Sequence, residues 1–190
     1  MAIPAIERRV LEGPGDALRR PHPNCYWLIP GQLLAGEHPG AMLPAACVER
    51  IDAMLDTGMR HFVDLTDEGE AAMPYVPTLV ERAGARGLRV DHRRFAIPDY
   101  GVPSVALMRA ALDAVYGAIA AGDPVYLHCW GGVGRTGTAV GCLLREQGFS
   151  GVETLDAIAR KWQSMEKRTR HPNSPETRAQ IAFVERWPCD

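Results

Sequence analysis

The sequence predicts an α/β fold with a central, mostly parallel sheet of about five strands flanked by helices. Short runs of β-branched and aromatic residues alternate along the chain with longer segments of helical period, which is typical of strands joined by crossover helices. The 190 residues, 46% of them hydrophobic, suffice for one domain with a sizeable core. We expect an irregular arm at residues 1–24, where proline and glycine are mixed with charge, and a single domain over residues 25–190.

The first half of the domain predicts a hairpin followed by alternating helices and strands. Pro30 and Gly31 form a turn signal between two short apolar runs, which places this hairpin at a sheet edge. Gly58 and Gly87 follow two segments of helical period, as expected for glycines beyond helix ends. We therefore expect strands at 26–29 and 32–35, a helix over 44–56, a strand at 61–66, a helix over 75–85 and a strand at 88–95.

The second half predicts one more strand among helices. Ser104 is a typical helix N-cap, and an apolar stripe follows it with helical spacing. A short apolar run after Pro124 predicts a strand, and beyond residue 137 the pattern is helical. The stripe consists of Val105, Met108, Leu112, Val115 and Ile119, and the later helices are expected up to Gln147, over 152–162 and over 175–187.

The stretch from Val125 to Thr138 combines a strand, a glycine-rich loop and the start of a helix. A helix that begins near Arg135 leaves its first N–H groups unpaired, and they face the loop together with the positive end of the helix dipole. The loop glycines permit the backbone angles that turn several N–H groups inward. This arrangement predicts an anion site.

A cysteine begins this loop and an arginine ends it. N–H dipoles and a guanidinium both favour the charged form of a thiol, so we expect Cys129 to be a thiolate nucleophile at neutral pH. Arg135 can bind two phosphate oxygens with its planar fork. Thr136 can donate its hydroxyl to the sulfur when the sulfur becomes a leaving group. The pattern therefore predicts transfer of a phosphoryl group rather than anion binding alone.

Two nucleotide-binding loops resemble this stretch less well. Residues 129–136 fit a Walker loop except that Cys129 replaces its first glycine and Arg135 its lysine, which are both defining positions. Residues 132–137 fit the dinucleotide fingerprint, but that fingerprint needs an acidic residue at the end of a second strand about 20 residues on. Here a turn and another helix follow instead.

Charge and cysteine content limit the classes of partner and compartment. The net charge of −2 and the pI near 6.3 provide no general attraction to nucleic acid or to an anionic membrane. Charged residues near the N-terminus and the lack of a long apolar run argue against a signal peptide or a membrane span, so we expect a cytoplasmic protein. The odd cysteine count favours free thiols over disulfides or a zinc site. These are Cys25, Cys47, Cys129, Cys142 and Cys189.

The run from His128 and Cys129 to Arg135 and Thr136 resembles the signature of the cysteine-dependent protein tyrosine and dual-specificity phosphatases. The resemblance covers residues 26–187 and implies a dual-specificity-phosphatase-like domain. It further implies metal-independent hydrolysis of phosphomonoesters through a cysteinyl-phosphate, without cofactors, on a phosphorylated protein or a small phosphomonoester. Phosphate, sulfate or vanadate would occupy the loop, and we expect a monomer. The phosphate would be bound by the backbone N–H groups of Trp130, Gly131, Gly132, Val133, Gly134 and Arg135.

Three further residues complete the expected chemistry. Asp99 lies 30 residues before Cys129 in a loop rich in proline and glycine, and it resembles the general acid of dual-specificity phosphatases; the alternative is a turn aspartate that caps its own backbone. Asp91 is a weaker candidate because it lies within a predicted strand. Gln180 resembles the glutamine that places the hydrolytic water in some relatives, or it lies on a helix surface. His128 resembles the histidine that orients the cysteine, or it is a structural residue.

The substrate class is less strongly indicated by the sequence. Trp130 and Val133 occupy positions where phosphoinositide phosphatases of this superfamily commonly carry lysines, which argues against a heavily phosphorylated lipid. We favour a protein substrate, and the alternatives are inositol phosphates, phosphoinositides or RNA 5′-phosphates. A rhodanese-like sulfurtransferase and a phospho-binding module without turnover are the more distant alternatives. A basic run either forms a solvated face or borders the pocket and favours acidic or doubly phosphorylated substrates. It consists of Arg160, Lys161, Lys167, Arg168, Arg170 and His171.

Overall fold

The computed structural model describes residue 6, residues 18–70 and residues 74–188. Most of the predicted arm and Cys189 lie outside the described residues, and the division at residue 24 stays a prediction. The strands are β1 (Cys25–Ile29), β2 (Leu33–Gly36), β3 (His61–Asp64), β4 (Asp91–Arg94) and β5 (Val125–His128). The helices are α1 (Pro44–Asp56), α2 (Val76–Ala85), α3 (Val105–Ala120), α4 (Gly134–Glu146), α5 (Gly151–Trp162) and α6 (Arg178–Glu185).

The strands form one sheet in the order β1-β2-β5-β3-β4. All neighbouring strands are parallel except β1, which forms the predicted antiparallel hairpin with β2 at one edge. The predicted fold class, a mostly parallel sheet flanked by helices, is thereby confirmed. Parallel register places the last residues of three strands side by side, because His128 pairs with Gly36 on one side and with Asp64 on the other. The glycine-rich loop begins at this shared edge.

Helices cover both faces of the sheet, as the long apolar segments predict. Leu127 on β5 packs in a core with α3, α4, α5 and α6. The neighbouring Tyr126 packs in a second core on the other face, with α1 and α2. This alternation along β5 leaves the central strand fully buried, so the loop that follows it starts from a fixed position. None of the helices in the described part of the chain is long and apolar enough to cross a membrane.

Three details differ from the predicted elements. The last helix begins at Arg178 rather than at residue 175, because Thr177 and Gln180 form a capping box that fixes the start. β4 is limited to four residues, all polar, and lies at the outer edge of the sheet. Val105 does not belong to the buried stripe of α3: it is 41% exposed, whereas the other four members are buried.

Candidate active site

The loop after β5 encloses the sulfur of Cys129. The side chain is only 2% exposed, and the N–H of Gly132 donates to Sγ at 3.3 Å. Gly132 has φ of 74°, a backbone conformation that glycine adopts without strain. α4 begins at Gly134, immediately after the loop, so the positive end of its dipole faces the same region. The N–H of Gly132 and the start of α4 therefore lie where the predicted anion site requires them, and phosphate binding by the loop stays a prediction.

The loop is packed between two distant parts of the chain. A Cβ at Gly132 would lie 2.6 Å from the carbonyl carbon of Gly36 at the end of β2. A Cβ at Gly134 would lie 2.7 Å from the amide of Gln180 on α6. The N–H of His38 also donates to the carbonyl oxygen of Trp130 at 3.0 Å. Close approach thus favours glycine at both positions, and the backbone conformation requires it at Gly132 as well.

Arg135 is held at the base of the site by carboxylates. The side chain is 2% exposed. Its Nη1 donates to Glu70, and also to the carbonyl oxygen of Ile97 at a distance of 3.0 Å. Its Nη2 donates to Glu70 at 2.8 Å and to Asp99 at 2.9 Å. Burial lowers the pKa of Arg135, but the hydrogen bonds with Glu70 and the negative charges of Cys129, Glu70 and Asp99 together outweigh burial and keep the pKa above its ordinary value. Nε has no hydrogen-bond partner among the described residues. It is therefore a donor that an oxyanion can use.

Glu70 is the site residue that the sequence analysis missed. It lies in a short 3₁₀ turn, Glu68–Glu70, which follows β3 at the carboxyl edge of the sheet. Burial raises the pKa of Glu70, whereas hydrogen bonds from Arg135 and from the N–H of Asp67 lower it, and the net direction is down. Glu70 is thus an ionised partner that orients Arg135. The only sequence signal was an acidic loop directly after a strand.

Asp99 lies in the same pocket as the nucleophile. Its Oδ1 accepts from Nη2 of Arg135 and, at 3.0 Å, from the N–H of Tyr100, while its side chain is 52% exposed. Asp99 therefore caps its own turn, as the structural alternative predicts, and it also contacts Arg135, while its role as general acid stays a prediction. The weaker candidate, Asp91, pairs instead with His61 at 3.4 Å and with Arg93 at 2.9 Å.

His128 is buried between Tyr75 and the backbone of Cys129. Burial lowers the pKa of His128 to about 4, so the ring is neutral at pH 7. Nε2 then accepts from the Tyr75 hydroxyl at 2.7 Å, and Nδ1–H donates to the Cys129 carbonyl oxygen at 3.2 Å. These contacts suit a residue that fixes the position of the cysteine backbone.

Gln180 is fully buried, so the alternative of a surface glutamine is wrong. Its Oε1 accepts from the N–H groups of Glu176 and Thr177 at 3.1 Å each, and its Nε2 donates to the Gly101 carbonyl oxygen at 3.1 Å. Gln180 thus connects α6 to the loop that carries Asp99. The hydroxyl of Thr136, also buried, donates to the Gly36 carbonyl oxygen at 3.3 Å.

Part of the basic run borders the pocket, which has a volume of about 200 Å³. Lys167 donates to the carbonyl oxygen of Gly131 at 3.3 Å and pairs with Glu37 at 2.5 Å. His171 pairs with Glu176 at 3.1 Å, and Lys161 is fully buried. The alternative that the run forms a solvated face is therefore wrong for these three basic residues. It is correct for Arg160, Arg168 and Arg170, which are exposed.

The fold and the site together define an enzyme class. A cysteine whose sulfur accepts from a loop N–H, a buried arginine and a pocket carboxylate meet at the carboxyl edge of a parallel sheet, which suits phosphoryl transfer to sulfur. The sequence model of the family PTP-SAK, "Swiss Army Knife protein, DSP-PTPase phosphatase domain", matches residues 22–184. The chain belongs to this family: it is a phosphatase of the cysteine-dependent protein tyrosine phosphatase superfamily, of the dual-specificity type, and it hydrolyses phosphoesters through a cysteine.

Solved structures of phosphatases share this fold. Tk-PTP in its active form is 23% identical, with a TM-score of 0.64 over 86% of this chain and 95% of that one. PTPMT1 in complex with PI(5)P is 21% identical, with a TM-score of 0.62 over 83% of this chain and 90% of that one. The core catalytic domain of the PP-IP phosphatase SIW14 from S. cerevisiae is 16% identical, with a TM-score of 0.63 over 90% of this chain and 89% of that one.

Proposed function

We propose that this chain is a protein tyrosine or dual-specificity phosphatase that acts on phosphorylated proteins. The observation that carries the proposal is that Cys129, Arg135 and Asp99 line one small pocket. A phosphate can there face the sulfur, the guanidinium and a proton donor at the same time. Trp130 and Val133 carry no charge, which supports a protein substrate over a heavily phosphorylated lipid, and Lys167 and His171, which border the pocket, favour an acidic substrate.

The reaction would proceed in two steps. In the first step the Cys129 thiolate attacks phosphorus, the S–P bond forms, and the P–O bond to the leaving group breaks as protonated Asp99 gives its proton to the departing oxygen. Arg135 and the N–H groups of residues 130–135 would stabilise the charge on the equatorial oxygens. Asp99 contacts Nη2 of Arg135, so its carboxyl group lies beside the guanidinium that would bind the phosphate.

In the second step water would attack the cysteinyl-phosphate. Asp99, now ionised, takes a proton from the water while the S–P bond breaks and the sulfur leaves as a thiolate. We assign to Thr136 the hydrogen bond that stabilises this sulfur, to Gln180 the placement of the water, and to His128 the orientation of Cys129. We further propose a monomeric, metal-independent enzyme of the cytoplasm; the four described cysteines are free, which supports a reducing compartment.

Hydrolysis of para-nitrophenyl phosphate tests this function. We expect turnover that is resistant to EDTA, inhibited by vanadate and abolished in Cys129→Ser, with Cys47→Ser as a control that retains it. Full activity of Cys129→Ser would contradict the mechanism. Phosphopeptides should be cleaved in preference to inositol phosphates, phosphoinositides and RNA 5′-phosphates, and the opposite preference would contradict the proposed substrate class. A thiosulfate–cyanide assay would identify sulfurtransferase activity, and tight phosphopeptide binding without turnover would indicate a binding module.

A further inference from the structure

A second and larger cavity adjoins the catalytic pocket. It has a volume of about 550 Å³ and shares Trp130 with the catalytic pocket, so the indole forms the boundary between the two. Its other lining residues come from the segment before α1, from α1 itself and from the region of α2. These residues, none of which carries a charge, are Ala41, Met42, Pro44, Cys47, Pro74 and Thr78.

The boundary between the two cavities is fixed in place. The carbonyl oxygen of Trp130 accepts from the N–H of His38, and the two rings lie 5.1 Å apart. His38 is itself buried, and its Nδ1 accepts from the N–H of Gly40 at 3.0 Å. The indole is therefore part of a packed aromatic cluster, and the apolar groove has a constant position relative to the nucleophile.

The groove is open to solvent and apolar at its rim. Met42 is 86% exposed, although a methionine gains free energy when it is covered. The catalytic pocket is less than half as large, too small for more than one side chain of a peptide. A peptide substrate whose phosphate faces Cys129 must therefore extend beyond that pocket. Because Trp130 lines both cavities, the part of the substrate that extends past Trp130 lies at the groove.

We propose, on the basis of the proposed protein phosphatase function, that this groove binds an apolar side chain of the substrate. That side chain would lie one or two residues from the phosphorylated residue, because an extended chain advances about 3.3 Å per residue and the two cavities share one wall. Leu, Met, Ile and Phe have the matching chemistry. The groove would then select among phosphoproteins, while the catalytic pocket binds the phosphate that all of them carry.

A membrane surface fits the groove less well than a peptide does. Peripheral binding to anionic lipid draws on clusters of about 4–8 Lys or Arg beside the apolar contact. The described residues that line the groove include neither Lys nor Arg, and the chain has a net charge of −2. An uncharged, open groove of this size instead suits a side chain that is presented by an extended peptide.

The experiment uses phosphotyrosine peptides with one leucine placed in turn at positions −3 to +3 in an otherwise polar sequence. We expect one position within two residues of phosphotyrosine to lower KM about tenfold against the matched serine peptide. The value of kcat should stay unchanged, because an apolar contact that forms equally in the ground and transition states affects only binding. A leucine without effect at every position would overturn the proposal.

Two variants localise the effect to the groove. Met42→Glu should remove the leucine advantage, whereas Leu43→Glu should retain it, since Leu43 is 70% exposed beside the groove without lining it. Both variants should hydrolyse para-nitrophenyl phosphate as the unmodified chain does. Equal loss of the advantage in both variants would overturn the proposal, and so would a dimer at assay concentration that Met42→Glu dissociates.

The same measurements separate this proposal from the function on which it rests. Without para-nitrophenyl phosphate turnover, the proposed chemistry fails. Turnover of that substrate together with a preference for phosphatidylinositol monophosphate in vesicles, lost in Met42→Glu, would overturn the peptide proposal and assign the groove to a lipid.

Discussion

Glu70 offers the sharpest test of how the site is organised. The substitution Glu70→Gln keeps one carboxamide oxygen as an acceptor but turns an N–H₂ group towards Arg135, so it removes one of two hydrogen bonds and the negative charge. A hydrogen bond to a charged group contributes about 1.5–3 kcal/mol when it is buried. Because the Glu70 side chain is 20% exposed, water replaces part of this contribution. We therefore expect the variant to lose about 1–2 kcal/mol of the stabilisation that the Glu70–Arg135 contact provides.

The loss should appear in kcat rather than in KM. An Arg135 that is no longer fixed stabilises the transition state less well, and about 1–2 kcal/mol corresponds to a roughly 5- to 30-fold fall in kcat. KM for para-nitrophenyl phosphate should stay equal or fall, since a negative charge near the phosphate has been removed. Steady-state kinetics measures both values, and urea unfolding measures the stability of the variant.

Glu68→Gln is the matched control, because Glu68 lies in the same 3₁₀ turn with an exposed side chain. We expect its kinetics to equal those of the unmodified chain. If Glu70→Gln lowered stability while kcat stayed unchanged, Glu70 would be a structural residue and its role in orienting Arg135 would be refuted.

Three further outcomes are expected. Asp99→Asn should slow the hydrolysis of alkyl phosphates more than that of activated aryl phosphates, because only poor leaving groups need a proton; equal losses would exclude the acid role. Gln180→Ala should lower the free energy of unfolding by about 1–3 kcal/mol through its lost hydrogen bonds, and stopped-flow measurements should show a product burst because hydrolysis of the cysteinyl-phosphate becomes rate-limiting. Burial lowers the pKa values of His22, His38 and His128 to about 4, from 6.5. Between these two pKa values the unfolded chain binds protons that the folded chain does not. Urea unfolding should therefore show a free energy of unfolding that falls as the pH is lowered from 6.5 to about 4, by up to about 3 kcal/mol per histidine. A free energy of unfolding that does not change over this range would contradict the burial of these histidines as neutral rings.

The sequence predicts the scaffold well because the scaffold depends on local patterns. The N-cap at Ser104, the turn at Gly31 and the helix over residues 44–56 each follow from a few neighbouring residues, and the structure has all three. The loop from Cys129 to Arg135 could be predicted for the same reason. Its strand, its glycines and its helix start are contiguous in the chain.

The partners of Arg135 and the borders of the pocket could not be predicted in this way. Glu70 lies 65 residues before Arg135, and nothing in its own sequence surroundings separates it from Glu68. Lys167 contacts the loop from a second 3₁₀ turn, Glu166–Thr169, and no periodic pattern in the sequence predicts this turn. Such contacts depend on how the strands are ordered in the sheet, since that order decides which loops meet.

The catalytic loop rests on Gly36 near one end of the domain and on Gln180 near the other. The entire motif is therefore synthesised about 45 residues before Gln180, which packs against the loop. We therefore expect Cys129 to gain its reactivity only after α6, which carries Gln180, has packed against the loop at Gly134.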